Sequence, residues 1–271
     1  MKYFTKEIKT PLSYNVSLTA YLLDNYDFDK QRQRPAIILC PGGAYMMRSD
    51  REAEPIAIKM MSLGFQSFVL NYSVAPARFP TALVELASAV RYVRENASEF
   101  NIDSNQICVG GMSAGGHLAA SLGVFWNSNL LKEYNFISNE IKPNALLLGY
   151  SVLTSGKYTH KDSIANLLGT NSQDKNALSQ VDLIKQVTSN TPPCFIWHTA
   201  TDPVVSCQNS LLFAKALKEN KVPFELHIFP RGGHGLSLAN EESNYGKEDA
   251  VISEIQQWPN MFARWIKLLF D

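Results

Sequence analysis

The residues with the clearest chemical potential lie in segment 108–118, which reads CVGGMSAGGHL, around Ser113. An apolar run precedes this serine and an Ala/Leu-rich stretch follows it, so the sequence predicts a tight strand-to-helix turn at Ser113. Gly111 and Gly115, two residues to either side, let the strand and the helix approach closely. Such a turn lifts a serine hydroxyl clear of a sheet, where the hydroxyl can act as a nucleophile.

A serine hydroxyl is a poor nucleophile at neutral pH, so it needs a base within hydrogen-bond reach and a carboxylate that orients the base. His234 is the candidate base because it lies in RGGHG, where the flanking glycines let a loop fold against a pocket. Asp202 is the candidate carboxylate because it follows a predicted buried strand. The chain order Ser113, Asp202, His234 differs from the orders of other well-known serine triads.

The other four histidines have structural interpretations. His117 lies four residues along the helix behind Ser113, and we expect it to pack beneath the turn. His198 and His227 lie in apolar strands, which favours positions in the core or just behind the site. His160 lies in a polar region and could touch substrate, although an exposed position is the more ordinary expectation.

Attack on an ester carbonyl places negative charge on the carbonyl oxygen, and a hydrolase needs hydrogen-bond donors around that oxygen. The N–H of Ala114, at the start of the predicted helix, is one candidate donor. The second donor would come from Gly43 or Ala44 in the segment PGGAY, and the sequence leaves both open.

Composition excludes several classes of protein. The 271 residues include 25 Lys+Arg and 25 Asp+Glu, so the net charge is 0 and nothing favours binding to nucleic acid or to an anionic membrane. No apolar run approaches the length of a membrane span, and the N-terminus lacks the apolar stretch of a signal peptide. The four cysteines have no metal-ligand spacing, three of them lie in or beside apolar runs that resemble buried strands, and we expect reduced core thiols. These features predict a cytoplasmic protein that needs no metal.

Strand patterns alternate with helix patterns along most of the chain, which predicts parallel βαβ units. We expect one α/β domain of residues 1–271, with a mostly parallel sheet, helices on both faces, and an antiparallel edge at residues 3–9 and 15–23. Residues 152–191 are polar with short helical patches, which indicates a lid or cap insertion. In such sheets functional residues collect at the carboxyl ends of the strands.

Several longer segments resemble the α/β-hydrolase esterase/lipase family, and within it a branch of carbohydrate esterases that includes acetyl-xylan, sugar-acetyl and feruloyl esterase-like proteins. They are PGGAY, YSVAPARFP, GGMSAGGHLAA, NTPPCFIWHTATDPVVSCQNSLLFAKAL, VPFELHIFPRGGHGLSLA and WPNMFARWI. The resemblance implies the α/β-hydrolase fold, the triad roles of Ser113, Asp202 and His234, and an oxyanion hole. Pro41 and Ala44 depart from the HGGG pattern of hormone-sensitive lipases, which weakens any claim to lipase activity.

The hypothesis from the sequence is a serine esterase that hydrolyses short-chain esters without a cofactor, with acetyl groups on sugars or oligosaccharides as substrates. A serine peptidase or amidase of the same fold, and a non-catalytic ligand-binding module, remain the alternatives. The oligomeric state stays open. Four residues near the predicted pocket could bind sugar but are more simply core or rim residues: Tyr45, Arg48, Arg78 and Trp126.

Overall fold

Eight strands form one sheet in the order β1-β2-β4-β3-β5-β6-β7-β8. The computed structural model describes residues 1–271, apart from the side chains of residues 14 and 15. Strand β2 runs antiparallel to both of its neighbours, and the other five pairs are parallel. The strands are β1 Lys2–Thr10, β2 Ser13–Leu22, β3 Arg34–Cys40, β4 Gln66–Asn71, β5 Ile102–Met112, β6 Ala145–Gly149, β7 Cys194–Thr199 and β8 Phe224–Phe229.

Helices cover both faces of this sheet. They are α1 Glu54–Ser62, α2 Thr81–Glu95, α3 Ser113–Phe125, α4 Asn129–Lys132, α5 Ser138–Ile141, α6 Lys161–Leu168, α7 Lys175–Gln180, α8 Leu183–Gln186, α9 Gln208–Glu219 and α10 Trp258–Phe270. Four 3₁₀ helices are Asp50–Glu52, Gly169–Gln173, Glu248–Ala250 and Ile255–Gln257.

Alternation along the strands divides the apolar side chains between two cores. In β3, Ile38 packs in the core that contains apolar residues of α2, α3 and α9, whereas Ile37 and Leu39 pack in the core that contains those of α1 and α10. A strand that is buried on both faces reads as a continuous apolar run, as AIILC does. The predicted architecture, a mostly parallel sheet with helices on both faces, is confirmed.

The strand order reverses direction at β3, because β4 lies on one side of it and β5 on the other. The segments that follow β3 and β5 therefore leave the sheet in opposite directions and open a crevice at the carboxyl ends of these strands. Ser113 begins α3 directly after β5, so it lies at this crevice.

The backbones of β5, α3 and β3 approach so closely near Ser113 that only glycine fits. A Cβ on Gly111 would overlap the carbonyl oxygen of Gly115, and a Cβ on Gly115 would overlap the carbonyl oxygen of Cys40. The two glycines that the sequence singled out therefore let strand and helix pack in contact.

Residues 152–191, all of which the structure describes, contain α6, α7 and α8 and no strand. Apolar side chains of this segment, including Ile164, Val181 and Leu183, join the core beneath α3. The segment is thus packed onto the sheet domain through buried side chains.

The expectation of a core position for His227 is wrong. Strand β8 is the last strand of the sheet, and each of its residues is partly exposed. His227 Nε2 instead contacts the side chain of Glu225 at 2.7 Å. An apolar run does not reveal which strand lies at an edge, because sequence alone does not give the strand order.

No helix among the described residues combines the length and apolar character that a bilayer crossing requires.

Substitution of Gly111 by alanine should lower the free energy of unfolding by about 3 kcal/mol, because the new methyl group would press on the backbone of α3. Gly233→Ala is the matched control, since a Cβ there has no atom within 4 Å; its effect should stay below about 0.5 kcal/mol. Urea unfolding followed by circular dichroism measures both. Equal losses in the two variants would contradict the close-packing argument.

Candidate active site

Four segments that follow strands meet at the crevice. Ser113 follows β5, Gly43 and Ala44 lie in the loop after β3, Asp202 follows β7, and His234 follows β8. Residues that are up to 191 positions apart in the chain are thus brought to one rim of the sheet, as the carboxyl-end rule for parallel strands requires.

Ser113 has a left-handed backbone conformation with φ of 53°, on the turn between β5 and α3. Non-glycine residues pay about 1–3 kcal/mol for such a conformation, and they retain it where the surroundings enforce it. The residue is 7% exposed and lines the crevice. This turn is the one predicted from the sequence.

A continuous chain of hydrogen bonds links the three predicted triad residues. Ser113 Oγ lies 2.8 Å from His234 Nε2, and His234 Nδ1 lies 2.7 Å from Asp202 Oδ2. With the proton on Nδ1, the imidazole donates to the carboxylate and its Nε2 accepts from the serine hydroxyl. This arrangement can transfer the serine proton to the imidazole while the carboxylate stabilises the imidazolium.

The Asp202 side chain has no exposed surface, and neighbouring groups hold it in place. Its Oδ1 accepts hydrogen bonds from the N–H groups of Val204 and Val205, both at 2.9 Å. His198 Nε2 lies 3.4 Å from Oδ2. Burial alone would raise the pKa of Asp202, but the hydrogen bonds from His198 and His234 outweigh burial and hold this pKa well below its ordinary range. Asp202 is therefore ionised in the folded protein near neutral pH.

His198 lies just behind the site, one of the two positions that the sequence favoured for it. It is fully buried, its Nδ1 lies 2.8 Å from Ser210 Oγ, and its Nε2 lies 2.9 Å from the carbonyl oxygen of Val205. These contacts fix the ring against the Asp202 loop.

The loop after β3, which holds the candidates for the second oxyanion donor, lines the cavity together with Ser113. Gly43, Ala44 and Tyr45 are consecutive residues with positive φ, of 127°, 55° and 56°. Among the described residues, no hydrogen bond uses the N–H of Gly43, Ala44 or Ala114 as a donor. Gly43 and Ala44 both line the cavity. All three N–H groups are thus available to an oxyanion, and the choice between Gly43 and Ala44 stays open.

His117 packs beneath the turn as expected. It is fully buried, and its ring nitrogens contact the Tyr45 hydroxyl at 2.9 Å and the Val181 carbonyl oxygen at 3.1 Å. Burial lowers the pKa of His117 to about 4, so the ring is neutral at physiological pH.

The other aromatic and cationic candidates are structural as well. Arg48 donates to the carbonyl oxygen of Tyr72 at 2.7 Å, Arg78 donates to that of Asn166 at 2.6 Å, and Trp126 is buried. Neither these side chains nor Tyr45 line the cavity beside Ser113.

His160 differs from the expectation of an exposed residue. It is partly buried, lines the cavity, and its Nδ1 lies 2.8 Å from Ser163 Oγ at the start of α6. The polar composition of the segment predicted exposure, whereas packing of the segment onto the sheet domain brings this ring to the crevice.

Sequence patterns did not predict two residues of the site, Glu52 and Tyr150. Glu52 is a carboxylate with only 4% exposure, and it lines the cavity next to Ser113. Its Oε2 accepts the N–H of Gly42 at 2.7 Å, and its Oε1 accepts the hydroxyl of Tyr150 at 2.8 Å. Glu52 therefore holds the start of the loop that carries Gly43 and Ala44.

Tyr150 extends the contacts of Glu52 to the histidine loop. Its hydroxyl accepts the N–H of Ser237 at 3.0 Å, and its ring packs edge-on against His234 with centroids 5.1 Å apart. One buried carboxylate and one phenol thus connect the loop after β3 to the loop that positions the imidazole. No local periodicity marks such a pair, because Glu52 and Tyr150 are 98 residues apart.

The crevice opens into a cavity of about 790 Å³. Ser113 and His234 lie in its wall, together with residues of the 43–55 and 235–245 segments. Groups of three or more His, Cys, Asp or Glu side chains that could hold a metal ion are absent from the described residues. The cavity is large enough for a small organic substrate.

The fold and the site geometry define an α/β-hydrolase. The BD-FAE family model matches residues 23–217, and the chain belongs to this family. The resemblance to a carbohydrate-esterase branch of the α/β-hydrolases, drawn from the sequence segments, is confirmed.

Individual relatives are similar over nearly the whole chain. Endo-1,4-beta-xylanase B of Butyrivibrio fibrisolvens is 39% identical over 97% of this chain, which spans only 42% of that protein. The acetyl ester-xyloside bifunctional hydrolase of Caldicellulosiruptor lactoaceticus is 38% identical, with a TM-score of 0.81 over 94% of this chain and 89% of the other. A carboxylesterase of Lactobacillus plantarum WCFS1 is 30% identical, with a TM-score of 0.88 over 99% and 98%.

Substitution of Glu52 by glutamine should lower kcat about 10- to 100-fold with little change in KM. An amide offers one acceptor oxygen where the carboxylate offers two, so either Gly42 or Tyr150 loses its charge-assisted bond. Ester-hydrolysis kinetics and a thermal melt on the same sample measure the effect. Glu99→Gln, the same change at an exposed position, is the control.

Tyr150→Phe should reproduce part of that loss, because it removes the hydroxyl but keeps the ring against His234. A positioning role requires kcat to fall while the melting temperature stays within a few degrees. A melting temperature that falls in proportion to kcat would make Glu52 a residue of general stability instead.

Proposed function

We propose that this protein is a serine esterase that hydrolyses short-chain carboxylic esters, with acetyl groups on sugars or oligosaccharides as its substrates. The observation that carries the proposal is the hydrogen-bonded chain Ser113–His234–Asp202 beside backbone N–H groups that donate to no described residue. That combination supplies nucleophile, base, orienting carboxylate and oxyanion donors in one place.

In the proposed reaction, His234 Nε2 takes the proton of Ser113 as Oγ attacks the ester carbonyl carbon. The carbonyl oxygen becomes an oxyanion that accepts hydrogen bonds from Ala114 N–H and from Gly43 or Ala44 N–H. When the carbon–oxygen bond to the alcohol breaks, the imidazolium returns its proton to the leaving alcohol. A water then attacks the acyl-enzyme with His234 as base, and the carboxylic acid and free Ser113 are released. The scheme requires no cofactor.

Relatives support the choice of substrate class. One similar structure is named an acetyl ester-xyloside hydrolase, and another is named a carboxylesterase. The open cavity of about 790 Å³ could accept an alcohol moiety as large as a sugar ring next to a small acyl group.

A cytoplasmic location remains a prediction from the free cysteines.

We propose further that residues 152–191 form a lid within a single domain of residues 1–271. Asn166 Nδ2 donates to the carbonyl oxygen of Ala44 at 3.0 Å, and His160 lines the cavity. Both contacts support a covering role, since they lie against the proposed oxyanion loop and beside the nucleophile.

Ser113→Ala should reduce the hydrolysis of acetyl esters by about 10⁴- to 10⁶-fold, because the acyl acceptor is lost while the oxyanion donors remain. Initial rates on p-nitrophenyl acetate and on an acetylated xyloside measure the loss. An aminoacyl-arylamide tested in parallel distinguishes an esterase from a peptidase. Parent-level ester hydrolysis by the variant, or faster cleavage of the amide than of the esters, would refute the proposal.

The rate constant kcat/KM should fall with decreasing pH, because a protonated His234 cannot accept the Ser113 proton. Hydrogen bonds to Asp202 hold its pKa well below the ordinary range of a carboxyl group despite burial, so Asp202 adds no second limb to the profile near neutral pH. A plot of log kcat/KM against pH should therefore rise along a single acid limb, with a limiting slope of about 1, and then level off. A flat profile would argue against His234 as the base.

A further inference from the structure

The direction in which the alcohol leaves follows from the chemistry of the imidazole. His234 Nε2 must protonate the leaving oxygen, so the alcohol moiety lies on the imidazole side of Ser113 and the oxyanion lies on the side of Gly43 and Ala44. Side chains that line the cavity next to His234 are therefore the ones that an alcohol moiety meets.

Arg51 and Tyr245 occupy this side. A Cβ on Gly235, the residue after His234, would lie 2.6 Å from a guanidinium nitrogen of Arg51. The guanidinium carbon of Arg51 lies 5.4 Å from the centroid of the Tyr245 ring. The cavity wall thus carries, in this order, the imidazole of His234, the guanidinium of Arg51 and the ring of Tyr245.

Side chains along this part of the cavity have surfaces and hydrogen-bonding groups that are free to contact a ligand. The Tyr245 side chain is 80% exposed, although its ring lies against a cation and lines the cavity. The guanidinium of Arg51 lies against the Tyr245 ring, and among the described residues its side chain has no hydrogen bond and no carboxylate within 4.0 Å. Glu242, an exposed residue three positions before Tyr245, also lines the cavity.

These three side chains match the surface of a sugar ring. An aromatic face packs against the apolar C–H face of a pyranose, while a guanidinium donates to hydroxyl groups and a carboxylate accepts from them. We propose that Tyr245, Arg51 and Glu242 form a subsite for the sugar ring of the leaving alcohol. This subsite rests on the proposed esterase function and specifies the alcohol side of its substrate.

The charge of the wall selects an uncharged sugar. Asp50, Glu54 and Glu242 line the cavity against the single guanidinium of Arg51, and Glu52 adds a buried carboxylate. An anionic sugar such as a uronate would be repelled by this excess of negative charge, whereas a neutral xyloside or glucoside would not.

The test compares two acetate esters that share the acyl group and differ in the alcohol. Ethyl acetate has a two-carbon alcohol without a ring to stack, whereas a mono-acetylated methyl xyloside has a sugar ring. Tyr245→Ala should raise KM for the xyloside about 10-fold and leave kcat/KM for ethyl acetate within about twofold. Tyr245→Phe should keep the parent values, because stacking uses the ring and not the hydroxyl.

Two further variants sharpen the result. Arg51→Met keeps an unbranched side chain but removes the guanidinium donors, and it should also raise KM for the xyloside alone. Tyr26→Ala removes another exposed tyrosine, with 60% exposure, that does not line the cavity. It should leave KM and kcat/KM unchanged for both esters. Thermal melts of all variants exclude a loss of fold.

The outcomes separate the two proposals. Equal losses on ethyl acetate and on the xyloside in Tyr245→Ala, or no loss on either, would overturn the sugar subsite while the esterase remains. An acetylated uronate hydrolysed as well as the xyloside would overturn the selection for a neutral ring. A parent protein with no Ser113-dependent hydrolysis of either ester would refute the esterase function itself.

Discussion

The site depends on the contact between the backbones of β5, α3 and β3. Gly111 and Gly115 have no side chain at the points where these elements meet, so the helix starts close enough to the sheet to lift Ser113 into the crevice. The strained φ of Ser113 is maintained by that packing. The 2.8 Å distance between Ser113 Oγ and His234 Nε2 therefore depends on the packing of these three backbones as well as on the loop that carries His234.

Two buried carboxylates, Asp202 and Glu52, have different roles around the imidazole of His234. Asp202 contacts the ring directly and stays ionised because its oxygens receive several hydrogen bonds. Glu52 reaches the ring only through Tyr150, and its other oxygen holds the loop of the candidate oxyanion donors. The first carboxylate can stabilise developing positive charge, whereas the second fixes where donors and base sit relative to Ser113.

Sequence patterns predicted the fold and the meeting of Ser113, Asp202 and His234, because strand and helix periodicity is local and the carboxyl-end rule brings the strand ends together. They did not predict Glu52 and Tyr150, whose bond joins segments 98 residues apart. Core burial of His227 was a wrong prediction because an edge strand and a central strand can share the same apolar pattern. Exposure of His160 was overestimated because polar composition does not show how a segment packs.

The shared carboxylate of Glu52 has an evolutionary consequence. One side chain anchors both the loop of the candidate oxyanion donors and, through Tyr150, the loop that precedes Tyr245. Substitutions that reshape either wall of the crevice to admit a different acyl group or a different alcohol will shift the opposite wall as well. Divergence of specificity in this scaffold should therefore proceed through paired changes in the two loops, with Glu52 retained.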